Sequence, residues 1–302
     1  MASLIENGSN TQSLPFLRLV SPEQVALRPL ASTPIAVTER RYRHTLPVRL
    51  SHWLNVGCVF ILIMSGLQIF NAHPALYWGD RSDRDQPLLS IRPIKAADGN
   101  LHGITTILGH PFDTTGVLGY SNSSRRAFPS WATIPSTKWL AMGRQWHLFF
   151  AWVFVINGLI FTVYAVSSRH LTRDLTPTRT DVGEIGTAIK DHICLRHPKD
   201  DTRRYNVLQK LAYLGVIFGL APVIVSTGLT MSPTIDAALP GLLSFFGGRQ
   251  TARTIHFVAC FSFIAFILIH VSQVILTGLF KNIRSMVTGW LVIRHEGVRH
   301  DA

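Results

Sequence analysis

The sequence predicts an all-α membrane protein, a bundle of four membrane-spanning helices with a long external loop between the first and the second. Three observations predict it. Apolar types make up 47% of the 302 residues and charged types only 15%, against about 25% charged in an ordinary soluble domain. Four separate segments each hold the ~20 mostly apolar residues that a bilayer crossing needs. The basic residues gather in the polar stretches between them, with a bias toward one side.

Residues 1–45 are rich in Pro, Ser and Thr and read as a mobile tail with no cleavable signal peptide. From residue 46 to 302 the chain reads as one membrane domain. The first span is expected from Pro47 to Phe70, the second from Gln145 to Val166, the third from Val207 to Met231 and the fourth from Thr254 to Phe280. Each is apolar around most of its circumference, which favours a crossing over a surface helix. A helix also satisfies its own backbone in lipid. Pro222 is expected to kink the third span. Loops as long as 71–144 are usually functional or disordered. The sequence reads as having no internal repeat.

The formal charge of +12 raises the question of nucleic acid, whose binders collect basic residues on one soluble face. Here 18 of the 29 Lys and Arg lie in the tail and the first turn of the first span, in the 167–206 loop and after the fourth span. The segment between spans three and four has only Arg249 and Arg253. The positive-inside bias accounts for this pattern, placing both termini and the 167–206 loop in the cytoplasm and the 71–144 loop outside. Lipid is the expected partner and nucleic acid is not. Cys58, Cys194 and Cys260 form neither CxxC nor CxxCH, which argues against a zinc site and against covalently attached haem.

Of 13 histidines, nine fall in loops or tails and read as solvated. His52, His147, His256 and His270 fall in the spans, where ionisable residues are rare and point to function. Taken singly, each could equally be a histidine hydrogen-bonded across helices or held at headgroup level. The set of four is more specific. His256 and His270 are 14 residues apart, about 21 Å along one helix and almost four whole turns, so they share a face. With the charge-derived topology, His147 matches His256 in depth toward the outside, and His52 matches His270 toward the cytoplasm. A facing pair of imidazoles can fill both axial positions of a haem iron, which favours electron transfer over oxygen chemistry. Zinc would need four ligands converging on one point. Arg144 and Arg253 are candidate partners for the propionates of an outer haem, and Arg49 for an inner one; headgroup snorkelling is the alternative for all three. Gly66 could admit a porphyrin edge or simply pack helices closely. Trp53, Trp139, Trp146 and Tyr77 suit an interfacial aromatic belt.

The segments HTLPVRLSHWLN, GRQWHLFFAWVFVINGL, NVLQKLAYLGVIFGLAPVIVSTGLTMSP and ARTIHFVACFSFIAFILIH resemble the prokaryotic cytochrome b561 family over about 46–290. The resemblance implies two non-covalent b haems on His52, His147, His256 and His270. It further implies a quinone site near one of them and a place in a bacterial cytoplasmic (inner) membrane. The long outer loop looks closest to members that accompany a periplasmic molybdopterin oxidoreductase. Ser51 stands where many members carry Trp. Two competing readings stay open: a haem-free transporter or proton-coupled carrier using the histidines as a relay, and a membrane anchor with structural histidines. Against the first, the spans hold almost no Asp or Glu.

Overall fold

The computed structural model describes residues 35–97, 99–169, 171–172, 176–183, 185–193 and 207–297. The tail up to residue 34, Cys194, the loop histidines His170, His197 and His300 and the basic stretch 194–206 lie outside the described residues. Among the described residues, a small unit comprises 35–39 and 293–297, and a large one lies within 40–292. Strands β1 (Ile35–Tyr42) and β6 (Trp290–Gly297) pair in a two-stranded sheet.

Four helices in the large unit are long and apolar enough to cross a membrane: Leu46–Phe70, Leu140–Ser167, Val207–Thr230 and Arg249–Leu276. The first, α1 (Leu46–Phe70), starts where Thr45 is extended and Pro47 enters the first turn, a position where the missing N–H has no helical partner to lose. The second, α2 (Leu140–Ser167), is followed by the short helices α3 (Arg179–Gly183) and α4 (Ile185–Ile193). The third span is composite: α5 (Val207–Leu214), a π-helical stretch at Gly215–Leu220, then α6 (Ala221–Thr230). The π stretch immediately precedes Pro222, where proline removes a helical donor and crowds the carbonyl four residues back. Two short helices, α7 (Pro233–Ala238) and α8 (Pro240–Phe245), lead to α9 (Arg249–Leu276), the fourth span. This span ends earlier than the apolar run suggests, because Gly278 turns to a positive φ of 109°. Beyond the break, α10 (Leu279–Thr288) exposes Phe280, Ile283 and Val287.

Close backbone approach occurs within two pairs, α1 with α2 and α6 with α9. The outward surface is apolar: Phe60, Phe149, Ile160, Val163 and Leu268 are all more than half exposed, while Ser51, Ser65, Gln68, Asn157 and Thr227 are buried. That is the arrangement expected where lipid, not water, surrounds the bundle and small or polar residues join the helices.

The 71–144 loop corrects the all-α expectation. It folds as a four-stranded antiparallel sheet of β2 (Ala75–Leu76), β3 (Leu89–Lys95), β4 (Leu101–Ile107) and β5 (His110–Asp113), ordered as numbered. Its core joins Leu76, Ile91, Ala127 and Phe128 to Phe70 at the end of α1, with Phe257 of α9 packed against them. Burial of these side chains makes the strands worth forming, since two strands alone would be marginal. Tyr77 is 1% exposed inside this layer, so it is not a residue of an aromatic belt, unlike the exposed Trp53, Trp139 and Trp146.

The loop is tied to the bundle by polar contacts. The Arg126 guanidinium donates to Gln68 Oε1 of α1 at 2.6 Å, to Thr133 Oγ1 at 2.8 Å and to the Ser136 carbonyl. Asn71 Oδ1 accepts from the Phe128 N–H at 2.7 Å. The Gly79 carbonyl accepts from the N–H groups of Gln250 and Thr251 at 3.0 and 3.1 Å, satisfying first-turn donors of α9 that have no helical partner.

Candidate functional site

Four half-buried histidines face one another in two pairs. His147 of α2 and His256 of α9 have ring centroids 6.2 Å apart, with planes at 66°. His52 of α1 and His270 of α9 have centroids 6.3 Å apart, with planes at 58°. The first pair lies near the ends of α2 and α9 that join the 71–144 loop and the α8 segment. The second lies at the opposite ends. Both pairs join helices from the two close-packed hairpins, so each spans the space between them.

Two nitrogen–metal bonds of about 2 Å, plus the reach from each ring centre to its nitrogen, give a centroid separation of about 6.3 Å for two imidazoles sharing one ion. Both pairs match that spacing. Among the described residues no group of three or more His, Cys, Asp or Glu converges as a metal site. Two protein ligands per site suit a haem iron held by two imidazoles, since the macrocycle supplies the rest.

The loop-side pair is set in a repeated cradle. His147 Nδ1 lies 3.2 Å from the Leu62 carbonyl and 3.1 Å from Ser65 Oγ. His256 Nδ1 lies 2.9 Å from the Ile224 carbonyl and 3.2 Å from Thr227 Oγ1. The hydroxyls donate back to their own helices, Ser65 to the Ile61 carbonyl at 2.7 Å and Thr227 to the Val223 carbonyl at 2.6 Å, leaving oxygen lone pairs for the imidazole. A carbonyl can only accept, so Nδ1 carries the proton in both rings and Nε2 is left as the free ligand atom. The next residue in each cradle is a glycine. A Cβ on Gly66 would stand 3.3 Å from His147 Cε1, and one on Gly228 would stand 3.3 Å from His256 Cε1. Gly66 thus leaves room for the His147 imidazole, in keeping with the close-packing alternative. Neither Ser65, Thr227 nor Gly228 was singled out from the sequence. The signal in the sequence is a short repeat, Leu62-x-x-Ser65-Gly66-Leu67 against Ile224-x-x-Thr227-Gly228-Leu229.

The other pair is held differently. His52 Nδ1 is buried and makes no hydrogen bond among the described residues. The His270 ring stacks on Phe266 with centroids 5.8 Å apart. Ser51, next to His52, is buried, and its carbonyl accepts from Asn157 Nδ2 at 3.1 Å.

The three candidate arginines are placed unlike one another. Arg253, one turn before His256, donates to the Ala75 carbonyl at 3.0 Å and to the His73 carbonyl, and its guanidinium lies 5.6 Å from the Phe70 ring centre. Arg49, one turn before His52, donates to the Val287 carbonyl. Arg144 is exposed. Arg253 and Arg49 therefore fasten segments beyond the helix ends close to their histidines, whereas Arg144, one turn before His147 on α2, points to the exposed surface. Outside the spans, burial and the neighbouring Arg253 push the His73 imidazole below its ordinary pKa.

A family model described as prokaryotic cytochrome b561 matches residues 43–289. A relative from Azospira oryzae, described as a putative protein-methionine-sulfoxide reductase subunit, is 28% identical over 244 residues, covering 80% of this chain and 93% of its own.

Proposed function

Because the chain belongs to the prokaryotic cytochrome b561 family, we propose that it is the di-haem, electron-carrying membrane subunit of a bacterial oxidoreductase. In this reading His147 and His256 hold one b haem, and His52 and His270 the other. Bound haem supplies a reversible one-electron carrier; the chain supplies axial nitrogens, orientation and a low dielectric. Quinol in the cytoplasmic membrane gives electrons at the side of His52 and His270. They leave at the other side to a periplasmic partner seated on the 71–144 loop, with both termini in the cytoplasm. The relative's description as a reductase subunit supports this direction and suggests a partner that reduces oxidised methionine in proteins, of the molybdopterin type implied by the family resemblance. Arg253, Arg49 and Arg144 are each one turn from a proposed ligand and are the candidates for holding propionates.

The observation that carries the reading is the pair of matched imidazole separations, 6.2 and 6.3 Å. The test is a reduced-minus-oxidised optical spectrum of the purified chain with pyridine haemochrome quantification. About two b haems per chain are expected from two bis-imidazole sites. His256→Ala should lose the loop-side haem and His270→Ala the other, each leaving about one. A colourless chain from haem-replete cells would overturn the reading in favour of a haem-free carrier.

A further inference from the structure

The two histidine pairs differ in one respect that bears on redox chemistry. Arg253 stands one turn before His256 and Arg49 one turn before His52, and both guanidiniums donate to backbone carbonyls. Arg144 stands one turn before His147 but is exposed, where solvent screens its charge. The two pairs differ in how their imidazoles are hydrogen-bonded. Both imidazoles of the loop-side pair donate Nδ1–H to a carbonyl and a hydroxyl. On the other side the Nδ1 of His52 has no such acceptor among the described residues. Drawing the Nδ1 proton toward an acceptor pushes electron density to Nε2 and raises the basicity of the ligand. A more basic nitrogen donor stabilises Fe(III) relative to Fe(II), and hydrogen bonding around the ligands is one of the protein's levers on potential.

Resting on the di-haem reading above, we propose that Ser65 and Thr227 are positioning residues that set a potential difference across the membrane. With the Leu62 and Ile224 carbonyls, they hold the haem of His147 and His256 at a lower reduction potential than the haem of His52 and His270. The step concerned is a single electron added to or removed from iron, with no bond made or broken. With the haems bound, these residues would favour an electron's resting at the His52 and His270 site until a partner on the 71–144 loop draws it onward.

The experiment is potentiometric titration of the purified full-length chain, followed optically, beside Ser65→Ala, Thr227→Val and the conservative Ser65→Thr and Thr227→Ser. Two waves are expected in the native chain. The lower wave should move up in Ser65→Ala and Thr227→Val and stay in place in Ser65→Thr and Thr227→Ser, while the upper wave is unmoved throughout. In His270→Ala the one remaining wave should be the lower. Should Thr227→Val fail to fold, Ser65→Ala and its threonine counterpart carry the same comparison. Retention of both haems with both waves unmoved by Ser65→Ala would overturn the proposal, as would a surviving upper wave in His270→Ala. A native chain without haem would overturn the underlying reading, and the haem count separates that result from the other two.

Discussion

A glycine in contact with an imidazole is a sensitive place to add one carbon. At Gly66 and Gly228 a Cβ would sit 3.3 Å from the neighbouring histidine ring, so alanine forces a shift of a few tenths of an ångström, and valine forces more, at about 1–3 kcal/mol for overpacking. Gly66→Val and Gly228→Val are expected to fold but to fall from about two haems per chain toward one, by haemochrome assay, while Gly57→Val, where a Cβ meets nothing within 4 Å, keeps both. A second residue-scale expectation concerns pH. The Asp181 carboxylate accepts from Lys210 Nζ at 2.7 Å and from the Thr178 N–H and hydroxyl at 2.8 and 2.9 Å. The Lys210 bond above all, then the Thr178 N–H, lowers its pKa to about 2. A depressed carboxylate contributes stability that is complete above its unfolded value near 4 and is lost as pH falls through its folded value. Thermal stability in detergent should therefore drop between pH 4 and pH 2, and Asp181→Asn should flatten that drop. The four histidines were legible in the sequence because imidazoles stand out in apolar segments. Their cradles were not, because Ser, Thr and Gly are common in spanning helices and gain meaning only once a ring is seen against them.

At the scale of elements, spans are easier to read than sheets. Four apolar runs announced the helices because length and hydropathy suffice in lipid. The strands of the 71–144 loop were hidden by Pro93 in β3 and Gly103 in β4, which face each other in register and interrupt the alternation expected of strands. Pro93 is tolerated because β2 pairs only with Leu89 and Ser90, leaving an open edge where a missing N–H costs no ladder bond. The end of α9 was misread for a related reason: Leu279 and Phe280 continue the apolar run, but the positive φ of Gly278 breaks the helix before them. The loop layer hangs on Arg126, which is 5% exposed and has three acceptors. Arg126→Ala would leave Gln68 and Thr133 without their charged partner and is expected to cost about 3 kcal/mol. Faster hydrogen exchange in β3 and β4, with haem content retained, would be the signature of a loosened loop on an intact bundle.

For the whole molecule, the charge pattern predicts an orientation that labelling can test. If the 71–144 loop faces the periplasm, a cysteine placed at Ile94, which is exposed on β3, should react with an impermeant maleimide in intact cells. One placed at Lys281, exposed on α10, should react only after the membrane is opened. The reverse pattern would invert the topology and the proposed direction of electron flow with it. The large unit is fastened at both rims. On one side Gly79, Ala75 and His73 bind the start of α9. On the other, Arg49 and Trp53 of α1 reach the Val287 and Met286 carbonyls beyond its end. Between the rims, the hairpins meet through facing imidazoles. In the proposed di-haem reading, a frame riveted above and below these histidines leaves them little room to swing when the charge between them changes by one, so each electron would need only a small structural adjustment of the protein.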